Sequence, residues 1–443
     1  MVRSSRKIDR FRFLRILWAL AMLLLLAAGA VAMDVQGRAS STSFVYETYG
    51  EDTHRELDLI NRLYLDADGL GHEALSLHLL GTFRGEMLYE NSPDPEMSFL
   101  RGYLKLAPSP LFKIALGRQW IYGGVGSSLL DGARLDLNGG KIGSLTLFSG
   151  SRHLRDEDGD TFPNFEDIDG VMGAHYRYYG LPMKGMLGLS GARYKEDEEL
   201  LEQRVGASLW FGDFPLGWLA YEMRYETESS KLYFSHLRLS GKKGVYDYGI
   251  TWNMKQDYLL FLSSYDNSWI LREVANEEWF ADGILGRRNE LRAQFGFPCM
   301  AFEGFRWNAA IVEIFPEEGD RGDGLELALA GKGLNAGLRM QRGFRGDRTG
   351  FFGSYRHEVL QGTWLWVDFN RMAYKYGDES VQELADTDNF SMASRMGIDH
   401  FCRRFPLELR LIFESLTTPR AEYENRFIGM LAYRFGTNHG KED

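Results

Sequence analysis

The chain has 443 residues, of which 44% are hydrophobic, 14% aromatic and 26% charged, and it contains 50 glycines but only two cysteines. This composition excludes a collagen, a disulfide-rich scaffold and a largely disordered chain. The net charge of −11 argues against a nucleic-acid partner, because phosphate contacts need clustered lysine and arginine side chains.

The N-terminal segment predicts export. Six basic side chains lie within residues 1–15, an apolar run follows from Ile16 to Ala28, and Ala30-Val31-Ala32 supplies small residues for cleavage. This order is typical of a secretory signal, so we assign residues 1–32 to a cleaved signal peptide. The alternative is an uncleaved anchor, since about 17 apolar residues reach the lower limit for a spanning helix.

After residue 32 the chain repeats short segments in which apolar and polar residues alternate. Between Glu56 and Asp66, for example, Leu59 and Leu63 share one face and Asp58 and Arg62 the other. The same alternation recurs in residues 288–297, 325–329, 334–341 and 405–414. A period of two predicts strands with two unlike faces. A soluble β-sandwich also alternates, so the connections must decide between the two architectures.

Short turns alternate with longer polar connections along the chain. The short turns lie at residues 107–110, 138–141, 180–182, 212–215, 241–244 and 331–333. The longer acidic connections lie at 151–169, 195–202, 316–323 and 373–389, and residues 254–285 are interpreted as a long loop insertion. Short periplasmic turns and long extracellular loops are typical of a transmembrane β-barrel.

We therefore predict an all-β fold, a single large antiparallel transmembrane barrel over residues 33–443. It should have about 22 strands, within a range of 18–24, because bacterial barrels have even strand numbers and strand boundaries read from sequence are imprecise. Both termini are expected on the short-turn side. Residues 436–443 are assigned to a short C-terminal tail.

The polar face of these strands carries charges. On the lipid-facing side a charge near the bilayer midplane costs about 2–4 kcal/mol, so the alternating charges are predicted to line a water-filled lumen. The basic pore-lining candidates are Arg62, Arg101, Lys105, Arg134, Arg177, Arg224, Arg238, Arg292, Arg339 and Arg410. The acidic candidates are Asp58, Asp136, Glu222, Glu290, Glu326, Asp368 and Glu408. Two interpretations stay open: a basic ladder that favours anions, and pairing that only stiffens the wall.

The last predicted strand carries a family resemblance. Residues 427–435 alternate apolar side chains and end in an aromatic residue, and they resemble the final strand of Gram-negative outer-membrane porin-like barrels. A second piece, residues 116–119 followed by 130–133, is similar to stretches in porins. The resemblance implies that the barrel-assembly machinery recognises an assembly signal formed by Phe427, Leu431, Tyr433 and Phe435. Family members usually stop at the aromatic residue, whereas this chain continues to Asp443.

The resemblance also implies a location and partners. The expected location is the outer membrane of a Gram-negative bacterium. The expected partners are outer-membrane lipid, lipopolysaccharide and small solutes, with no nucleic acid. A TonB-dependent transporter is less similar, because the stretch before the first predicted strand is too short for a plug domain.

Motifs for catalysis and metal binding are incomplete. Asp156, Asp158 and Asp160 have the spacing of a calcium loop but lack its later glycine and glutamate, so this segment is interpreted as an external loop. The sequence Gly123-Gly124-Val125-Gly126 lacks the lysine of a phosphate loop and is interpreted as a flexible connection. Zinc-hydrolase and nucleophile-elbow motifs are missing. We therefore predict no catalytic residue, no metal site and no cofactor.

Cys299 and Cys402 are both predicted in short turns. A disulfide in an oxidising compartment and two separate thiols are both left open.

The favoured hypothesis is a channel for passive diffusion of small polar or charged solutes. The insertion at 254–285 would either narrow the pore or cap its outer rim. The alternatives are a non-conducting structural or adhesive barrel, a lipid-acting barrel enzyme and a soluble secreted β-protein.

Overall fold

A computed structural model describes residues 34–48, 54–86, 96–121, 124–125, 128–152, 170–196, 199–228, 230–256, 287–317, 321–343, 347–375, 390–402, 405–418 and 421–436. The predicted signal peptide, most of the 254–285 insertion, the aspartates at 156–160 and residues 437–443 lie outside these described residues. Within them, no helix is long and apolar enough to cross a bilayer.

The described residues form twenty-two strands and one 3-10 turn at Gly140–Ile142. The strands are β1 (Asp34–Thr48), β2 (His54–Asp68), β3 (Leu75–Glu86), β4 (Glu96–Ser109), β5 (Phe112–Ile121), β6 (Ser128–Asn138), β7 (Ser144–Arg152), β8 (Gly170–Leu181), β9 (Gly185–Glu196), β10 (Glu199–Phe214), β11 (Gly217–Glu226), β12 (Lys231–Lys243), β13 (Tyr246–Gln256), β14 (Arg287–Pro298), β15 (Arg306–Pro316), β16 (Gly322–Gly331), β17 (Leu334–Arg342), β18 (Asp347–Leu360), β19 (Thr363–Lys375), β20 (Phe390–Cys402), β21 (Leu407–Thr418) and β22 (Ala421–Gly436).

The sheet closes on itself. Each strand pairs antiparallel with its neighbours in the chain, and β22 pairs with β1 from Gln36 opposite Gly436 to Tyr46 opposite Arg426. Every strand therefore has a partner on both sides, which satisfies the backbone hydrogen bonds without water. The closed 22-stranded barrel confirms the predicted fold class and strand number, and the resemblance to porin-like outer-membrane barrels holds for the fold.

The two rims differ in the length of their connections. At the short-turn rim, β16 and β17 are joined by Lys332 and Gly333, whose φ values of 48° and 80° suit a tight hairpin turn. Both described chain ends, at Asp34 and Gly436, lie on this rim. At the opposite long-loop rim, the connections between β7 and β8, β13 and β14, and β19 and β20 are the longest.

The strands extend further into the predicted connections than the alternation indicated. Residues 195–202 were expected to form a long acidic connection, but β9 runs to Glu196 and β10 begins at Glu199. Likewise β13 includes residues 254–256, the predicted start of the insertion. At the long-loop rim water reaches both faces of the sheet, so charged residues can remain in a strand. The backbone hydrogen bonds between strands therefore continue beyond the apolar segment.

The outer face of the barrel is apolar and exposed. Leu116, Ile311, Leu338, Met396 and Phe427 are each more than half exposed on it. Aromatic side chains lie on this face near the short-turn rim. There the Tyr433 and Phe435 rings stack with their centroids 6.4 Å apart. An exposed apolar belt of this extent marks a surface that contacts membrane rather than water.

The two cysteines are free. Cys299 is buried in the turn after β14, and Cys402 ends β20. Five strands separate β14 from β20, and adjacent strands are about 4.8 Å apart, so the wall holds the two sulfurs too far apart for a disulfide.

Candidate functional site

The register identifies the inner face of the wall. Residues directly opposite each other share a face, so the pairings can be followed around the whole barrel. On one face, side chains two strands apart make contact: Arg38 Nη2 on β1 lies 2.8 Å from Glu408 Oε2 on β21. Arg292 Nη2 on β14 likewise lies 2.5 Å from Glu326 Oε2 on β16. Side chains converge in this way on the concave side of a curved sheet, so this face is the interior.

All seventeen charged candidates from the sequence lie on this interior face. The pairing places them as follows: Asp58 and Arg62 on β2, Arg101 and Lys105 on β4, Arg134 and Asp136 on β6, Arg177 on β8, Glu222 and Arg224 on β11, Arg238 on β12, Glu290 and Arg292 on β14, Glu326 on β16, Arg339 on β17, Asp368 on β19, and Glu408 and Arg410 on β21.

Neighbouring charges pair along the wall in two ways. On one side of the barrel, single acids pair with single bases, as in Arg134 with Asp136 at 2.7 Å and Arg224 with Glu222 at 2.8 Å. On the side formed by β14–β22 and β1, four acids are each shared by two or three arginines. Glu408, for example, has Arg38, Arg410 and Arg434 within 4.0 Å.

We call the second region the arginine-rich wall. It consists of eight arginines and five acids joined by ion pairs, namely Arg38, Arg292, Arg339, Arg356, Arg395, Arg410, Arg426 and Arg434 with Glu326, Asp399, Glu408, Glu414 and Glu424. Among the described residues, the same face of these strands also carries four acids, Asp34, Glu290, Glu358 and Asp368, and three arginines, Arg288, Arg306 and Arg348. The arginine-rich wall therefore carries a net positive charge.

The arginines of this wall face open space. The side chains of Arg339, Arg395 and Arg434 are each half exposed, whereas those of Glu326, Glu408 and Glu414 are less than one-fifth exposed. The acids thus lie against the strands and the guanidinium groups point into the lumen. A solute passing along this wall meets positive charge first.

The connection between β5 and β6 enters the barrel. The described part of this connection is Gly124 and Val125, and the Val125 backbone amide donates to Ser190 Oγ on β9 at 3.1 Å. Val125 is only 2% exposed and packs with Ile121, Leu130 and Phe148. Since Ser190 lies on the interior face, this inward turn crosses the inside of the wall. The sequence predicted a flexible connection here, and the packing shows a docked one.

Two glycines make this docking possible. Gly124 has a φ of 66°, and a Cβ there would lie 2.1 Å from Ser190 Cβ. A Cβ on Gly206 of β10 would lie 2.5 Å from Val125 Cγ1. Both positions therefore need a residue without a side chain, and the glycines allow the turn to lie directly against β9 and β10.

The inward turn encloses a recess against the inner face of the wall. It covers a recess of about 160 Å³ that is lined by Gly124, His175, Arg177, Ser190, Ser208 and Glu222. Glu222 pairs with Arg224, and no ion pair joins Arg177 to an acid among the described residues. The recess therefore presents Arg177 and the paired Glu222 beside two hydroxyl groups.

Sequence reasoning found the charges but missed what surrounds them. His175, Ser190 and Ser208 were not selected, because a single His or Ser in a strand carries no local signal. The apolar inward cluster of Ile121, Leu130 and Phe148 was also missed, since the alternation rule assigns inward positions to polar residues. The glycine-rich segment 123–126 was the available signal, because closely spaced glycines allow close backbone approach.

The sequence matches no family model and no curated protein. Among solved structures, the barrel is similar to the outer-membrane protein OpdK from Pseudomonas aeruginosa, solved with vanillate, at a TM-score of 0.43 and 9% identity over 91% of this chain and 98% of that one. It is similar to the usher PapC translocation pore at 0.43 and 10% identity, covering 90% and 99%.

A third similar structure is OccK9 (OpdG) of Pseudomonas aeruginosa, at a TM-score of 0.41 and 11% identity, covering 91% of this chain and 98% of that one. The fold of this chain is established by its own closed strand pairing.

Proposed function

We propose that this chain is an outer-membrane channel of a Gram-negative bacterium, through which small polar or charged solutes diffuse passively. The observation that carries the proposal is the contrast between the two faces of the closed wall. The outer face is an exposed apolar belt, and the inner face is charged along most strands. The apolar outer face is suited to contact with lipid, and the charged inner face is suited to contact with water.

The charge of the inner face supports a preference for anions. The arginine-rich wall has more arginines than acids, and its half-exposed guanidinium groups project beyond the acids that hold them. Fixed charge on a pore wall raises the local concentration of the opposite ion. The sequence leaves two interpretations open, a basic ladder that favours anions and pairing that only stiffens the wall. Because four acids are each shared by two or three arginines, positive charge is left over, which favours the basic ladder. The ion pairs also hold the arginines in place.

The inward turn supports a narrowed lumen. Val125 and the apolar cluster around it occupy space inside β7–β10, on the wall opposite the arginine-rich wall. A solute is therefore directed toward the arginines. The arrangement supports a narrow, charge-selective path rather than a wide unselective hole.

The apolar outer face of the final strand is evidence that assembly begins at the C-terminal end of the chain. Phe427, Leu431, Tyr433 and Phe435 all lie on the outer face of β22 and are paired with β1. We propose that the assembly machinery binds this apolar row before β22 closes onto β1. The seam then forms last.

The test is single-channel recording of the refolded protein in planar bilayers with a salt gradient. Discrete conductance steps and a reversal potential on the anion side are expected. A well-folded barrel, judged by heat-modifiable gel migration, that gives no conductance steps would refute the channel. A cation-side reversal potential would refute the role of the arginine-rich wall.

A further inference from the structure

Arg193 and Lys195 are two basic side chains on the outer face of the barrel, most of which is apolar. Arg193 and Lys195 are two residues apart near the end of β9, and the register places Arg193 directly opposite the half-exposed Met172 of β8. Successive side chains of a strand alternate between the two faces. Arg193 and Lys195 therefore share the outer face with Leu189, while Tyr194 between them points inward.

Among the described residues, no ion pair joins Arg193 or Lys195 to an acid. Asp131, on the same part of the outer face, is held by Arg118 in two hydrogen bonds of 2.7 and 2.6 Å. Its charge is therefore already balanced by Arg118, and the two cations can take an added anion.

The two cations border a recess in the outer wall. It has a volume of about 320 Å³ and is lined by Asp131, Ser149, Ser151, Gly170, Met172, Arg193 and Lys195. It combines two cations, two hydroxyl groups and an apolar side chain with the Asp131 carboxylate, which Arg118 already holds. This is the chemistry that a phosphorylated headgroup with attached acyl chains requires.

The position of the recess determines what can reach it. Lys195 is the next-to-last residue of β9, at the long-loop rim, and Arg193 stands four residues, or about 13 Å along the strand, beyond the lipid-facing Leu189. The recess therefore lies level with lipid headgroups rather than with hydrocarbon. A lipid reaches this face from within the membrane.

We propose that this recess binds a phosphorylated glycolipid of the outer leaflet, of the lipid A type. Arg193 and Lys195 bind a phosphate group, Ser149 and Ser151 donate to the sugar or the phosphate, and the acyl chains lie against Met172 and Leu189. This inference rests on the outer-membrane location in the proposed function. It does not depend on whether the pore conducts.

The test is binding of fluorescent diphosphoryl lipid A to the full-length barrel in nonionic detergent. The variant R193Q/K195Q is compared with K141Q/K242Q, which removes two exposed lysines near the short-turn rim. The first variant is expected to bind about tenfold more weakly or worse, a change of about 1.4 kcal/mol, while the control keeps wild-type affinity. Equal affinity of all three proteins would overturn the proposal.

Two further measurements separate the sources of the signal. Competition with inorganic phosphate at millimolar concentration is expected to leave lipid A bound, and complete displacement would show a site for free anions instead. Heat-modifiable migration verifies that each variant is folded. Conductance without lipid A binding would overturn this inference alone, whereas lipid A binding without conductance would support it and overturn only the channel.

Discussion

Arg118 and Asp131 face each other across β5 and β6 and form a bidentate ion pair on the outer side of the barrel. Arg118 Nε lies 2.7 Å from Asp131 Oδ1, and Nη2 lies 2.6 Å from Oδ2. The register places both on the face that carries Leu116 and Ala133. The Arg118 side chain is only 8% exposed, and its Nη1 donates to the Phe99 carbonyl oxygen at 3.0 Å. This pair joins residues 116–119 to residues 130–133.

Replacing Asp131 with alanine is expected to destabilise the barrel strongly. The change leaves the Arg118 charge buried without its partner, and removal of one member of a buried pair typically costs about 3–5 kcal/mol. The free energy of unfolding, measured by denaturant titration of the refolded protein, checks this. Asp213→Ala is the matched control, because the Lys184–Asp213 pair is largely exposed and should contribute at most about 1 kcal/mol. Equal losses in the two variants would contradict the assignment.

Gly206→Ala is expected to displace the inward turn. The added Cβ would lie 2.5 Å from Val125 Cγ1, so the turn must move away from β10, at a cost of about 1–3 kcal/mol for overpacking. Because the turn occupies the lumen, the single-channel conductance should rise. Gly353→Ala is the control, since a Cβ there meets no atom within 4 Å. A conductance unchanged in Gly206→Ala but with the same loss of stability would show that the turn does not restrict the pore.

Arg339→Gln combined with Arg395→Gln is expected to reduce anion preference. Each change removes one arginine from a shared acid, while Glu326 keeps Arg292 at 2.5 Å and Glu414 keeps Arg426 at 3.8 Å. No acid is left unpaired, so the fold should persist. The reversal potential in a salt gradient should move toward zero. The double variant Arg134→Gln with Asp136→Asn removes a one-to-one pair and should leave the reversal potential where it was.

Gly37→Ala is expected to impair closure of the barrel. Gly37 on β1 lies opposite Phe435 on β22, and a Cβ there would lie 2.5 Å from both Phe435 Cζ and the Tyr64 carbonyl oxygen. The backbone oxygen cannot move without disturbing the β1–β2 ladder. The fraction of heat-modifiable protein after refolding should therefore fall. A folded fraction equal to that of Gly353→Ala would contradict a tight seam at this position.

Much of the fold could be predicted because its main signal is local. Alternation in segments such as 56–66 separates the two faces of each strand, and a side chain's face depends only on its place in the strand. The turns between segments then give the strand number, which the structure confirms at 22. The prediction of a long connection at 195–202 was wrong. Near the rim of the barrel water reaches both faces of a strand, so a charged strand segment has the same composition as a loop.

The sequence by itself determined that the chain forms a closed barrel with an apolar outer face, since each residue's face follows from its own segment. Only the tertiary structure decided which charges meet. Arg38 and Glu408 are 370 residues apart in the chain, and Val125 reaches Ser190 across the inside of the wall. Such contacts depend on register and on curvature, which arise only when all strands are paired. The positive balance of the arginine-rich wall, the inward turn and the outer recess beside Arg193 are all set at that level.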